Sequence, residues 1–281
     1  MTTMTLPDTT PAPAPAAIDT TQYGVTSRRV LRSEWTKFWS VRSPRWTLLV
    51  AVVLTVGLGA LFSAVRSSNF ASMSPHELAT FNPTATSLSG VALAELAIGV
   101  LGVLVITGEY ATGMIRSSLT VVPKRTPVLW NKIGIAAVVS FALMLVASFA
   151  AFFLGQVLLS GHHLNTTLGA PGVLRSVIGA ALSVGVVAVI GVGLGGLLRN
   201  TAAAISSFVA AFFVIPPLLS LLPGSLSTDI TPYAPNNAAA ALFRGDTGST
   251  LLSPWAGFAV LCGYAAAAVA AAAWRLRKTD A

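Results

Sequence analysis

Apolar residues in this chain fall into long runs, and polar residues fall into short clusters between them. Six runs have the roughly 20 apolar residues needed to cross a ~30 Å hydrocarbon core as a helix. They cover Trp46–Val65, Gly90–Thr107, Ile133–Leu159, Val173–Leu198, Thr201–Leu222 and Trp255–Trp274. The last is framed by Ser253 as a cap, Pro254 in the first turn and a Trp at each end. Ahead of the first run, residues 27–43 follow a helical rather than an alternating period. Val30, Leu31, Trp35, Phe38, Trp39 and Val41 fall on one half of the wheel, and Arg29, Arg32, Ser33, Thr36, Lys37 and Ser40 on the other. Glu34 and Arg42 depart from the pattern. Such a helix lies in a membrane interface, with Trp35, Lys37, Phe38 and Trp39 as anchors to membrane lipids. A helix docked on a soluble partner is the plainer alternative. Residues 1–26 are rich in Thr, Pro and Ala, read as a disordered tail, and lack the apolar core of a secretory signal. The expectation is an all-α, polytopic membrane protein: a tail, an interfacial helix and a six-span domain over 27–281.

Composition supports this. Of 281 residues, 54% are hydrophobic and 9% charged, against about 25% charged in soluble domains. The formal charge of +8 sits between apolar runs rather than on one polar face. It therefore suits anionic lipid and the positive-inside effect better than nucleic acid. The single cysteine, Cys262, lies inside an apolar run, which excludes an internal disulfide.

Charge also orients the chain. With six spans, fourteen of the 17 Lys and Arg residues fall on one side, leaving Arg66, Arg175 and Arg244 on the other. That bias places both termini in the cytoplasm.

The most specific polar stretch follows the second run: Gly108-Glu109-Tyr110-Ala111-Thr112-Gly113-Met114-Ile115-Arg116, continuing through Leu119 to Pro123-Lys124-Arg125. Read as a new helix, it puts Glu109 in the first turn and places Glu109, Gly113 and Arg116 on one face. Gly113 leaves room for another backbone, and Pro123 ends or bends the element. A solvated connector whose charges only set topology explains the same residues.

The order Glu109-Tyr110-x-x-Gly113-x-Ile115-Arg116, then Leu119, then Pro123-x-Arg125 resembles the signature of ABC-2 type permeases, the membrane subunits of ABC exporters. The stretch Leu31–Phe38 is similar to the elbow preceding the first span in actinobacterial members, and Thr231–Ala238 to their outer loop. The likeness departs at Met114, where many relatives have Thr. It implies that Glu109, Tyr110, Gly113, Arg116, Pro123 and Arg125 belong to a coupling element, residues 108–132, docked on a separate ABC ATPase subunit. It also implies a homodimer or a pair with a paralogous permease in the bacterial inner (plasma) membrane. ATP and Mg would be held by the ATPase and no cofactor by this chain. A phosphate-binding Gly-x-x-x-x-Gly-Lys-Ser/Thr loop does not occur in the sequence.

Other residues carry weaker signals. Glu95 lies inside the second run, as a candidate pathway residue or as a carboxyl bonded to a neighbouring helix. Gly191 and Gly195 suit close helix packing. His162-His163 reads as a solvated pair, and Asn165-Thr166-Thr167 matches a glycosylation acceptor that a bacterium would leave unused. Pro216-Pro217 should kink or end the fifth span, and Ala238–Phe243 is apolar enough to form a short re-entrant helix. An ion-coupled secondary transporter would need more buried ionisable groups than Glu95. An intramembrane metalloprotease would need a second His after His76-Glu77, which is missing.

Overall fold

The computed structural model describes residues 27–114, 126–221, 223–244 and 252–278. Among these residues there are helices and no strand. Helix α1 covers Ser27–Ser40 and α2 Arg42–Ser68. After the short helices α3 (Pro75–Ala79) and α4 (Pro83–Ser87) come α5 (Val91–Ala111), α6 (Thr126–Leu159) and α7 (Val173–Leu198). Helix α8 runs over Thr201–Leu219. Two short helices follow, α9 (Ser225–Ile230) and α10 (Pro235–Arg244), and the last is α11 (Pro254–Lys278). Six of them, α2, α5, α6, α7, α8 and α11, are long and apolar enough to cross a membrane. The protein is an all-α polytopic membrane protein. The expected tail, 1–26, lies outside the described residues.

Helix α7 is the axis of the bundle, packed on α5, α6 and α11. Its glycines make that possible. A Cβ on Gly191 would lie 2.3 Å from the Gly99 carbonyl oxygen of α5, and one on Gly195 would lie 2.9 Å from that of Val103. The expectation of close packing at both positions holds, and the partner is α5. At Gly99 the space is filled by Phe208 of α8, whose ring would lie 1.9 Å from an added Cβ. A two-residue link, Arg199-Asn200, turns α7 into α8. Arg199 is left-handed (φ 54°), and the Asn200 side chain accepts a hydrogen bond from the Ala203 amide.

Two expectations about proline and alanine segments change in detail. Helix α8 runs through Pro216-Pro217 and ends two residues later at Leu219, and its α-helical pattern is interrupted just before them. It widens into a π-helical turn over Ala210–Val214 and then continues from Ile215 to Leu219. Proline removes an amide donor and crowds the carbonyl four residues earlier, and the longer-range hydrogen bonds of a π turn accommodate both effects. The Ala238–Phe243 stretch does form a short helix, α10. All six of its side chains are buried, packed against α7 and α11.

Trp255 and Trp274 are both well exposed near opposite ends of α11, a spacing of about 29 Å at ~1.5 Å per residue. This is the placement expected of rings at two interfaces. Lys278 lies 4.7 Å over the Trp274 ring.

Candidate functional site

The second span carries its hydrogen-bonded ladder past the last apolar residues and ends at Ala111, with Thr112 as its cap. Gly113 follows with φ +72°. This corrects the expected placement of Glu109. Glu109 stands in the last turn of α5 and not in the first turn of a new helix. The helix dipole therefore disfavours its charge there. Gly113 has the left-handed backbone that glycine adopts most readily, and a Cβ there would meet nothing within 4 Å among the described residues. Arg116, Pro123 and Arg125 lie outside the described residues.

Glu109 is held by cations from two other helices. Lys132 in the second turn of α6 places Nζ 2.8 Å from Glu109 Oε1 and 2.6 Å from Glu34 Oε2 of α1. Lys37 of α1 completes a ring, with Nζ 2.8 Å from Glu34 Oε1 and 3.2 Å from Glu109 Oε1. Glu34 and Lys132 are each only 4% exposed. Lys132 also donates to the Val105 carbonyl at 3.5 Å, so each of its three ammonium protons has an acceptor. Among the described residues the ring is balanced, two carboxylates against two ammonium groups, which is the condition under which buried charges persist.

The titration of the α1 members follows from this arrangement. Burial pushes the Glu34 carboxyl up, but Lys132 and then Lys37 outweigh it and hold the group below its ordinary value of 4.5. Burial likewise pushes Lys37 down, and hydrogen bonds and attraction from Glu34, then Glu109, raise it above its ordinary 10.5.

Glu34 thus does not break the pattern of α1; it belongs to the line Val30, Glu34, Phe38 that faces the bundle. The proposed anchors divide. Trp35 and Leu31 are exposed, as lipid contacts require, and Trp39 is partly buried. Phe38 is in the core and Lys37 is drawn into the ion-pair ring, so these two fasten α1 to the protein rather than to lipid. The signal available in the sequence was an acidic residue on an otherwise basic helix, three positions before a lysine.

Tyr110, next to Glu109, ties α5 to the other side of the bundle. The Arg199 guanidinium lies 5.3 Å from its ring centre. Arg275 of α11 donates to the Leu197 carbonyl near the end of α7, and Arg199 to the Arg275 carbonyl. Cations here satisfy carbonyls at a helix C-terminus. The last turn of α5 is therefore a junction: one residue fastens α1 and α6, and the next meets the link that follows α7.

Glu95 is fully buried between α5 and α7, where Oε1 accepts from Ser183 Oγ at 3.0 Å and Oε2 has no partner. The expected alternative of a bond to a neighbouring helix is what the structure shows. His162 stacks on Phe70 at 4.8 Å. No family model matches the chain, and no curated protein matches it.

Proposed function

We propose that the chain is the transmembrane subunit of an ATP-driven exporter and that force from a separate ATPase enters through the segment after α5. The observation that carries this reading is the buried ion-pair ring at Glu109. Residues 108–132 resemble a coupling element, and the ring bolts both ends of that stretch, Glu109 and Lys132, to each other and to α1. A push on a loose connector would be absorbed by the connector. A push on one clamped at both ends moves α1, α5 and α6 together. On this reading both termini are cytoplasmic, two such domains form the pathway, and no covalent chemistry occurs in this chain.

The test is affinity purification of the tagged chain from its native membranes. A co-purifying ATPase with a phosphate-binding loop is expected, and Glu109→Gln should lower its activity in the complex without reducing insertion. A chain that purifies without any ATPase and transports under an ion gradient alone would overturn the proposal in favour of secondary transport.

A further inference from the structure

Beside the ion-pair ring is a cavity of about 420 Å³ between α1, the start of α2, the end of α5 and the start of α6. This is within the range of small-molecule sites, ~300–1,000 Å³. Its lining is graded. At the level of the helix ends it has Ser40, Ser43, Thr112 and the charged ring; deeper lie Leu104, Val105 and Ile135. Leu104 is five residues before Glu109 on α5, about 7 Å further along the axis. Val41, Pro44 and Met114 add apolar wall at the helix ends, so the polar groups are confined to that end while the wall toward the middle of the bundle is apolar, which is the profile of an amphiphile. A second observation points the same way. Glu109, one of the lining residues and 8% exposed, keeps Oε2 buried with no hydrogen-bond partner among the described residues. A carboxylate oxygen left so is costly unless a donor reaches it. The two ammonium groups of the ring are directed elsewhere: Lys132 donates to Glu34 Oε2, the Val105 carbonyl and Glu109 Oε1, and Lys37 to Glu34 Oε1 and Glu109 Oε1.

We propose that this cavity binds a membrane phospholipid whose head group donates hydrogen bonds, an ethanolamine lipid above all. Rotation of the Glu109 carboxylate brings its unpaired oxygen to the cavity, where the ammonium donates to it, and one acyl chain lies along Leu104, Val105 and Ile135. The phosphate stays at the mouth, beside the hydroxyls of Ser40 and Ser43. A choline head group has the same charge and no N–H, so it leaves the acceptor unpaired.

The experiment needs no ATPase, so its outcome is independent of the transport reading. The full chain is placed in phosphatidylcholine nanodiscs with a trace of phosphatidylethanolamine or phosphatidylcholine carrying a photoreactive acyl chain, and labelled peptides are mapped. The ethanolamine probe should label Leu104, Val105 or Ile135 at least tenfold more than the choline probe. Leu104→Trp should abolish this labelling. Val41→Trp, which changes only an exposed rim residue, should weaken it if Leu104→Trp does not fold. Equal labelling by both probes, or labelling confined to outward residues such as Leu49 and Val50, overturns the proposal. So does labelling of the same residues by a photoreactive dodecylamine with none by the ethanolamine lipid, since the cavity would then take soluble amphiphiles instead.

Discussion

Glu34 and Lys132 are 98 residues apart in sequence and meet at 2.6 Å, both almost completely buried. The contact joins a helix that a composition profile would assign to the membrane surface to the first turns of a membrane span. It makes α1 a part of the bundle. Because Lys132 serves Glu109 as well, removing it leaves two buried carboxylates with only Lys37, itself partly exposed, between them.

That asymmetry sets the first prediction. Lys132→Met should destabilise the protein by roughly 3–5 kcal/mol, the cost of stranding a buried charge. Thermal unfolding in detergent would report it. Adding Glu34→Gln to Lys132→Met should recover part of the loss, because one of the stranded charges is gone. Strict additivity of the two changes would show that the residues do not interact.

Acid should loosen α1. Glu34 has a folded pKa below its ordinary 4.5. Its contribution to docking is therefore complete above about pH 4.5 and is lost as pH falls through the lower folded value. Lys37 works in the opposite sense: its contribution is complete below its ordinary 10.5 and is lost only as pH rises through the raised value. Between those limits the α1–α6 distance should be constant. Spin labels at the exposed positions Thr36 and Trp130 would measure it, and a separation that grows already near pH 7 would contradict the ring.

Much of the fold was legible in the sequence. The fourth span was expected at Val173–Leu198 and is found there, because Gly172 and Arg199-Asn200 interrupt the apolar run at both ends. The second was expected to end at Thr107 and ends at Ala111. Hydropathy stops where the charges begin, but the helix stops where Gly113 turns left-handed, and so Glu109 was assigned to the wrong end of a helix. The ion-pair ring was not legible. Glu34 looked like a flaw in an amphipathic wheel, and its strongest partner comes from a different helix. Which Gly lies against which backbone was also hidden, since Gly102, Gly191 and Gly195 look alike in sequence to Gly134.

Those glycines give a contrast that structure alone predicts. A Cβ at Gly191 would lie 2.3 Å from a backbone oxygen of α5, and one at Gly102 would lie 2.4 Å from the Ala188 oxygen of α7. Gly191→Ala and Gly102→Ala should each force the helices apart and lower stability by about 1–3 kcal/mol, as overpacking does. At Gly134, where nothing lies within 4 Å, alanine should be neutral or stabilising by up to ~1 kcal/mol through helix propensity. At Gly113 there is equal space but φ is +72°, so Gly113→Ala should cost about 1–2 kcal/mol for the left-handed backbone. Melting midpoints of the four variants should rank in that order of sign, and a benign Gly191→Ala would show that α5 and α7 are not in backbone contact.

Orientation follows from the basic end of the bundle, where α1, Lys132, Arg199, Arg275, Arg277 and Lys278 gather. If the positive-inside bias acts as it does for short loops, that end faces the cytoplasm. In a Cys262→Ala background, a cysteine at the exposed Ser40 should resist a membrane-impermeant maleimide in intact cells and react after permeabilisation. A cysteine at Ser72, just after α2, should react in intact cells. The reverse pattern would place the Glu109 junction outside, beyond the reach of any cytoplasmic ATPase. The proposed function would then fall, while the ion-pair ring and the lipid cavity would still stand.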